Sequence, residues 1–296
     1  MSATPHVRRA LLQIHFCVVL WGFTAILGKL ISLPALQLVW WRMLIVVAAI
    51  ALWPPVWRAV RETDARMLLR FAGAGVVVAL HWLTFYGAIK LSNASVAATC
   101  MAMAPIMMAI VEPWIAKRAF DPRELLIGVV ALPGVALVVG GTPGGMRTGI
   151  VVGALSAFLV VVFSSLNKRY VEKAGPLVMT WVELAAGTAF LTIVAPLVPG
   201  PGDAFVVPDG RDFTLLLTLA IACTLLPFTV SLHALRHTSA FTAQLAISLE
   251  PVYAVILAIV LLGEQRELSL SFYLGVATIV GAVVAHTMLK LRGGAA

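Results

Sequence analysis

Apolar runs, each closed by a short polar or basic stretch, divide almost the whole chain. In order they occupy 10–30, 35–53, 69–90, 94–116, 124–141, 148–167, 177–198, 213–235, 240–262 and 270–290. At about 1.5 Å of rise per residue, a helix made from each run reaches, or nearly reaches, across roughly 30 Å of hydrocarbon. Only helices and closed barrels satisfy their backbone hydrogen bonds in lipid, and these runs lack the alternation of barrel strands. The pattern predicts an all-α polytopic membrane protein of ten transmembrane helices. The fifth run is the shortest and carries Pro133-Gly134, which predicts a kink or tilt.

Composition agrees with this reading. Of 296 residues 61% are hydrophobic and 11% charged, against the roughly 25% charge that a water-facing surface needs. Most of the outer surface must therefore face lipid. The formal charge of +8 sits in short loops beside the apolar runs, without the basic face of a nucleic-acid binder, so no nucleic-acid partner is expected. With the N-terminus in the cytoplasm, the inner segments hold Arg8, Arg9, Arg58, Arg61, Arg66, Arg70, Lys117, Arg118, Arg123, Lys168, Arg169, Lys173, Arg236, Lys290 and Arg292. The outer segments hold only Lys29, Lys90, Arg147, Arg211 and Arg266. By the positive-inside rule both termini are cytoplasmic. The first run follows Arg8-Arg9 directly and lacks a small-x-small cleavage site, so it is expected to remain as the first helix rather than to be cut off as a signal peptide.

The chain also resembles itself. Tyr86-Gly-Ala-Ile-Lys-Leu-Ser-Asn-Ala94 aligns with Leu232-His-Ala-Leu-Arg-His-Thr-Ser-Ala240, and the same offset sets Pro105 on Pro251. One extra residue in the next loop then matches Gly128 with Gly275 and Gly134 with Gly281. The first and sixth runs end alike, in Leu27-Gly-Lys29 and Leu166-Asn-Lys168. Two units follow, 1–145 and 146–296, joined near Gly140-Gly-Thr-Pro-Gly-Gly145. Five helices is an odd number, so the second unit enters the membrane from the opposite side: two inverted five-helix repeats, the ground plan of many secondary transporters.

Trp21-Gly22, Trp41-Arg42-Met43-Leu44, the Tyr86–Ala97 segment and Ser248-Leu-Glu-Pro-Val-Tyr253 with Leu261-Leu-Gly-Glu264 together resemble the drug/metabolite transporter superfamily in its EamA branch. The resemblance implies ten helices, a central cavity between the halves, a small-molecule substrate (often an amino acid), export, and a bacterial inner membrane. The sequence departs from the pattern once. Where the second copy closes its fourth helix with Gly263-Glu264, the first has Lys117-Arg-Ala-Phe-Asp-Pro122.

Polar residues inside the runs are the candidates for function, because a charge at mid-bilayer costs roughly 2.5–3.5 kcal/mol on insertion scales. His81 lies near the midplane of the third run with Phe85 one turn on, while Trp82 and Tyr86 form the neighbouring stripe. Such a cluster suits stacking against an aromatic or amphipathic solute, or simple packing around one satisfied histidine. Glu250 lies near the midplane of the ninth run, before Pro251, which removes a backbone bond and makes a weak point suited to a hinge, as Pro105 does in the first copy. Its carboxyl fits either proton coupling or a fixed structural bridge. Arg42 needs an anionic partner, Glu250 or Glu183. Glu183 and Glu112 lie within roughly two turns of the cytoplasmic ends, where snorkelling to water is easy, and interface anchoring or pairing is expected for both. The ladder Gly149, Gly153, Ala157 predicts a close helix contact, inside the monomer or between two copies in a homodimer.

Catalytic chemistry is not indicated. There is no H-E-x-x-H, no serine elbow and no metal-ligand spacing, and Cys17, Cys100 and Cys223 read as small buried side chains. No cofactor is expected. No nucleotide-binding domain accompanies the helices on this chain, which argues against an ATP-driven pump. An intramembrane enzyme using His81 and Glu250 as acid and base is the distant alternative to a transporter.

Overall fold

The computed structural model describes residues 5–116, 122–170, 175–197, 205–235, 247 and 249–293. Among them all regular structure is helical. The helices are α1 (Pro5–Leu30), α2 (Ala35–Ala51), α3 (Pro54–Glu62), α4 (Ala65–Leu91), α5 (Ala94–Met101), α6 (Ala104–Ala116) and α7 (Pro122–Gly141). They continue with α8 (Arg147–Tyr170), α9 (Pro176–Val194), α10 (Gly210–Ala220), α11 (Leu226–Leu235), α12 (Glu250–Leu257) and α13 (Leu270–Gly293).

Six helical stretches are long and apolar enough to cross a membrane: Leu12–Leu30, Ala65–Leu91, Ala94–Ile115, Gly144–Asn167, Leu177–Leu197 and Gly210–Phe228. Leu132–Gly141, Glu250–Leu262 and Leu270–Ala282 are apolar but shorter. The protein is thus a multi-pass helical membrane protein, with fewer full-length spans among the described residues than the ten expected. Residues 236–246, which open the ninth run, lie outside the described residues.

Four local departures interrupt the helices. The second run stops at Leu52-Trp53, because the residue before a proline avoids the helical region, and the chain resumes at Pro54 as α3, bent by 93° from α2. This short basic helix was not expected. The fourth run is interrupted at Ala102-Met103, where short i→i+3 bonds (Ala102 N to Thr99 O, Met103 N to Cys100 O) precede Pro105 in the first turn of α6. Pro251 occupies the same place in α12. The eighth run widens into a π turn at Ile221–Leu225 between α10 and α11, ahead of Pro227, and α12 runs into a second π turn at Ala258–Leu262.

The helix contacts are reciprocal between the two halves. First helices pack on the third and fourth elements of the other half: α8 on α4, α5 and α6, and α1 on α11 and α12. The second elements pack on each other (α2 on α9), as do the fifth (α7 on α13), and each second element also meets the other half's third, α2 on α10 and α9 on α4. Lipid offers no hydrophobic drive for these contacts, so close approach has to supply the attraction, and small residues permit it. A Cβ on Gly275 would lie 2.6 Å from the Gly134 carbonyl oxygen, and one on Gly134 2.9 Å from that of Gly275. Gly187 meets the Gly75 carbonyl at the α4–α9 crossing in the same way. The Gly149–Gly153–Ala157 ladder is used inside the monomer: Gly149 faces Ser92, Gly153 faces Cys100 on α5, and Ala157 is fully buried.

Candidate functional site

Where α1, α2, α4, the α5–α6 break, α8, α11, α12 and α13 converge, the packing leaves a cavity of about 310 Å³. Trp21, Trp82, Phe85, Phe163 and Phe228 form an aromatic wall, with Met101 and Met108 beside it. Its polar lining is Thr24, Arg42, His81, Ser164 and Glu250, and both Pro105 and Pro251 reach it.

Arg42 is the fixed charge of this cavity, buried to 5% exposure. Its Nε donates to Thr224 Oγ1 at 2.9 Å and its Nη1 to the Tyr86 hydroxyl at 2.7 Å. The guanidinium carbon sits 3.8 Å above the Trp82 ring, within cation–π range. The π turn explains how a threonine comes to face it. Thr224 donates its own hydroxyl five residues back, to Leu219 O, and so offers its lone pairs to Arg42. Two of five guanidinium N–H groups are held by these bonds, which sets the plane of the fork while leaving donors for a solute. Of the two expected anionic partners, Glu250 lines the same cavity and feels Arg42 electrostatically. Glu183 does not line it.

His81 is fixed from α8. Its Nδ1 lies 3.0 Å from Ser156 O and 2.9 Å from Ser156 Oγ, while that hydroxyl donates to His81 O at 2.9 Å. A carbonyl oxygen only accepts, and the Ser156 hydrogen is already committed, so Nδ1 carries the proton. In the neutral ring Nε2 is then an acceptor, on a side chain that lines the cavity.

Glu250 opens α12 directly after the break at Leu249 and shares the first turn with Pro251. The break and the carboxyl side chain therefore arise at one point of the chain.

His81, Trp82, Phe85, Arg42, Glu250, Pro105 and Pro251 thus meet around one cavity. Two candidates stand apart. Tyr86 is fully buried and does not line the cavity; it lies behind it, holding Arg42 and packed edge-on against Phe85 at 5.4 Å. Glu183 is only 2% exposed at the α4–α9 crossing, faces Asn167, and keeps Oε1 without a hydrogen-bond donor among the described residues. Of interface anchoring and pairing, this burial beside Asn167 fits pairing. The Glu183 backbone lies so close to Gly75 of α4 that a Cβ there would collide with its carbonyl oxygen.

The polar pattern does not mark Thr24, Phe163, Ser164, Phe228, Met108 or Thr224, and Trp21 enters only through the resemblance, although the internal repeat carries the signal for several of them. Tyr86 and Leu232 stand 146 residues apart, and at that same offset Trp82 pairs with Phe228, Met101 with Ile247, and Pro105 with Pro251, all lining the cavity. Counting from Lys29 and Lys168, Trp21 pairs with Val160 and Thr24 with Phe163, also lining it. The polar groups break the symmetry, since Glu250 pairs with Ala104.

The sequence profile of the EamA-like transporter family matches residues 8–140 and again residues 147–288. The uncharacterized transporter YdfC of Bacillus subtilis is 26% identical over 234 residues, covering 78% of this chain and 73% of that protein. An uncharacterized transporter of Pseudomonas aeruginosa is 24% identical over 279 residues, 90% of each chain. A crystal structure superposes with a TM-score of 0.65 at 18% identity, over 96% of this chain and 98% of the other, a likeness of fold.

Proposed function

The chain belongs to the EamA-like transporter family, and on that premise we propose that it is a secondary transporter exporting a small metabolite by alternating access. The observation that carries this reading is the cavity itself: a site lined by repeat-related positions, with one guanidinium, one carboxyl and an aromatic wall. Arg42 receives the anionic end of the solute, and Glu250 its cationic end or a proton. Trp21, Trp82, Phe85 and Phe228 take the apolar part. An amino acid has that distribution of charge and surface. At about 310 Å³ the cavity stands at the low end of sites for drug-sized ligands, which favours a small metabolite.

The reciprocal contacts support two inverted five-helix halves, ten spans in all, rocking about the cavity. Pro105 and Pro251 act as the hinges, because each follows a break in a cavity-lining helix. Both termini lie in the cytoplasm of the inner membrane.

The second reading is a multidrug or nutrient transporter of the same fold, which the mostly apolar lining favours. Solute counterflow in liposomes separates them. Exchange confined to amino acids and lost in Arg42→Gln and Glu250→Gln supports the first reading. Exchange of apolar cations, unaffected by Arg42→Gln, supports the second. If no solute moves across amino acids, other metabolites and cationic drugs, neither stands.

A further inference from the structure

We propose that Glu264 is a positioning residue for the transport cycle: a latch that holds the cavity closed at the end of the bundle remote from the termini. This inference rests on the transport reading above.

At that end Gly263 turns the chain with a φ of +70°, and Glu264 follows in a one-turn helix, 1% exposed. Its Oε1 accepts from Ala94 N at 2.9 Å and its Oε2 from Ser95 N at 2.8 Å. These are the first N–H groups of α5, which a helix leaves unpaired unless a cap supplies an acceptor. Asn93 caps the next one, Val96 N, at 3.0 Å, and donates from Nδ2 to Glu267 Oε2 at 2.9 Å. A carboxylate of the second half thus closes the start of a first-half helix by charge-assisted bonds. Two to three turns beyond that cap, Met101, Ala102, Ala104 and Pro105 line the cavity.

A second tie crosses the halves at the same end. The Asp212 carboxylate, 2% exposed, accepts from Ser32 N at 3.1 Å and from Ser32 Oγ at 2.6 Å. Beside it, within the first half, Lys29 reaches Ser92 O and Lys90 reaches Ile31 O.

The positions of the first half related by the repeat to Glu264 and Asp212 carry no carboxylate. At offsets of 146 and 147 residues Glu264 falls on Arg118 and Lys117. Both are donors with no acceptor, and neither can cap a helix start. Counted from the helix caps Asp64 and Asp209, Asp212 falls on Met67. Glu264, Glu267 and Asp212 thus tie the halves at this end. These ties favour the state with the remote end shut, in which the cavity opens toward the side of the termini.

The test places a single reporter in the cavity, Ser164→Cys, in a background of Cys17→Ala, Cys100→Ala and Cys223→Ala. A membrane-impermeant maleimide is applied to intact cells and to inside-out vesicles, with the side of the termini fixed by protease access to an appended tag. The full-length protein is expected to label from the side of its termini. Glu264→Ala should raise the labelling rate from the other side on the order of tenfold or more, the range expected for losing charge-assisted bonds. Glu264→Gln, which keeps one acceptor and the shape, should fall between. Equal labelling of the native protein from both sides overturns the proposal. So does an unchanged rate in a Glu264→Ala or Glu264→Gln protein that still elutes as a single folded species. Labelling needs no transported solute, so either result leaves the transport reading to be judged by counterflow.

Discussion

Arg42→Lys isolates the guanidinium fork from the positive charge. In the native site the fork makes a 2.9 Å bond to Thr224 Oγ1 and a 2.7 Å bond to the Tyr86 hydroxyl, with its face 3.8 Å from Trp82. Lysine keeps the charge but is a point donor on a flexible stem, and it reaches one of these partners at best. The other bond is lost, at about 1.5–3 kcal/mol for a hydrogen bond to a charged group. Thr224 remains satisfied through Leu219 O, whereas Tyr86 is fully buried and its hydroxyl oxygen would lose its donor. The variant should be less stable by about 2–3 kcal/mol. Solute affinity should fall roughly 10–100-fold, because a bidentate carboxylate contact becomes a single one. Stability is read from thermal melting in detergent followed by size-exclusion, and affinity from competition of unlabelled solute in counterflow. Thr224→Val is the companion, since it removes only the Nε partner and Thr224 does not line the cavity. It should cost about 1–2 kcal/mol of stability with less than a tenfold change in affinity. If Arg42→Lys competes as well as the native protein while Arg42→Gln does also, the guanidinium holds the fold together and binds nothing.

Gly275→Ala should destabilise by about 1–3 kcal/mol, because its Cβ would lie 2.6 Å from the Gly134 carbonyl and both sides of that contact are backbone. Gly281→Ala, which meets open space, should be neutral or slightly stabilising; equal melting of the two variants would contradict the crossing. Ser156→Ala removes one of the two acceptors of His81 Nδ1 but leaves the carbonyl, so transport should fall less than in His81→Ala. Equal loss in both would show that ring orientation, and not the ring itself, is what matters. Asp212→Asn weakens three bonds to Ser32 and should lower stability by about 1–3 kcal/mol without altering solute selectivity, as measured by the order of competition across a panel.

Much of the site was legible because polar residues inside apolar runs are costly, so His81, Arg42 and Glu250 announce themselves. Their partners were not legible. Arg42 is 182 residues from Thr224, and what joins them is a π turn that rotates the chain by one residue, a feature no apolar pattern reveals. Pro227, just after that turn, was its one trace in the sequence. The second run read smoothly to residue 53, and the 93° bend into α3 depends on Pro54 following Trp53. Glu183 looked like an interfacial anchor by position along its helix. Burial was decided by Gly75 and Gly187, which let α4 and α9 close over it. Tyr86 shares a stripe with Trp82, yet one lies behind the cavity and the other lines it, because Gly28 of α1 leaves room for the tyrosine ring.

The most direct test of the central claim is solute counterflow by the purified protein in liposomes, across amino acids, other metabolites and cationic drugs, with Arg42→Gln, Glu250→Gln and Trp82→Ala alongside. The account predicts exchange of one class of small amphipathic metabolite by the native protein, lost in the two charge variants and weakened in Trp82→Ala. Exchange that proceeds at the native rate in all three folded variants would contradict it, since the solute would then not pass through this cavity.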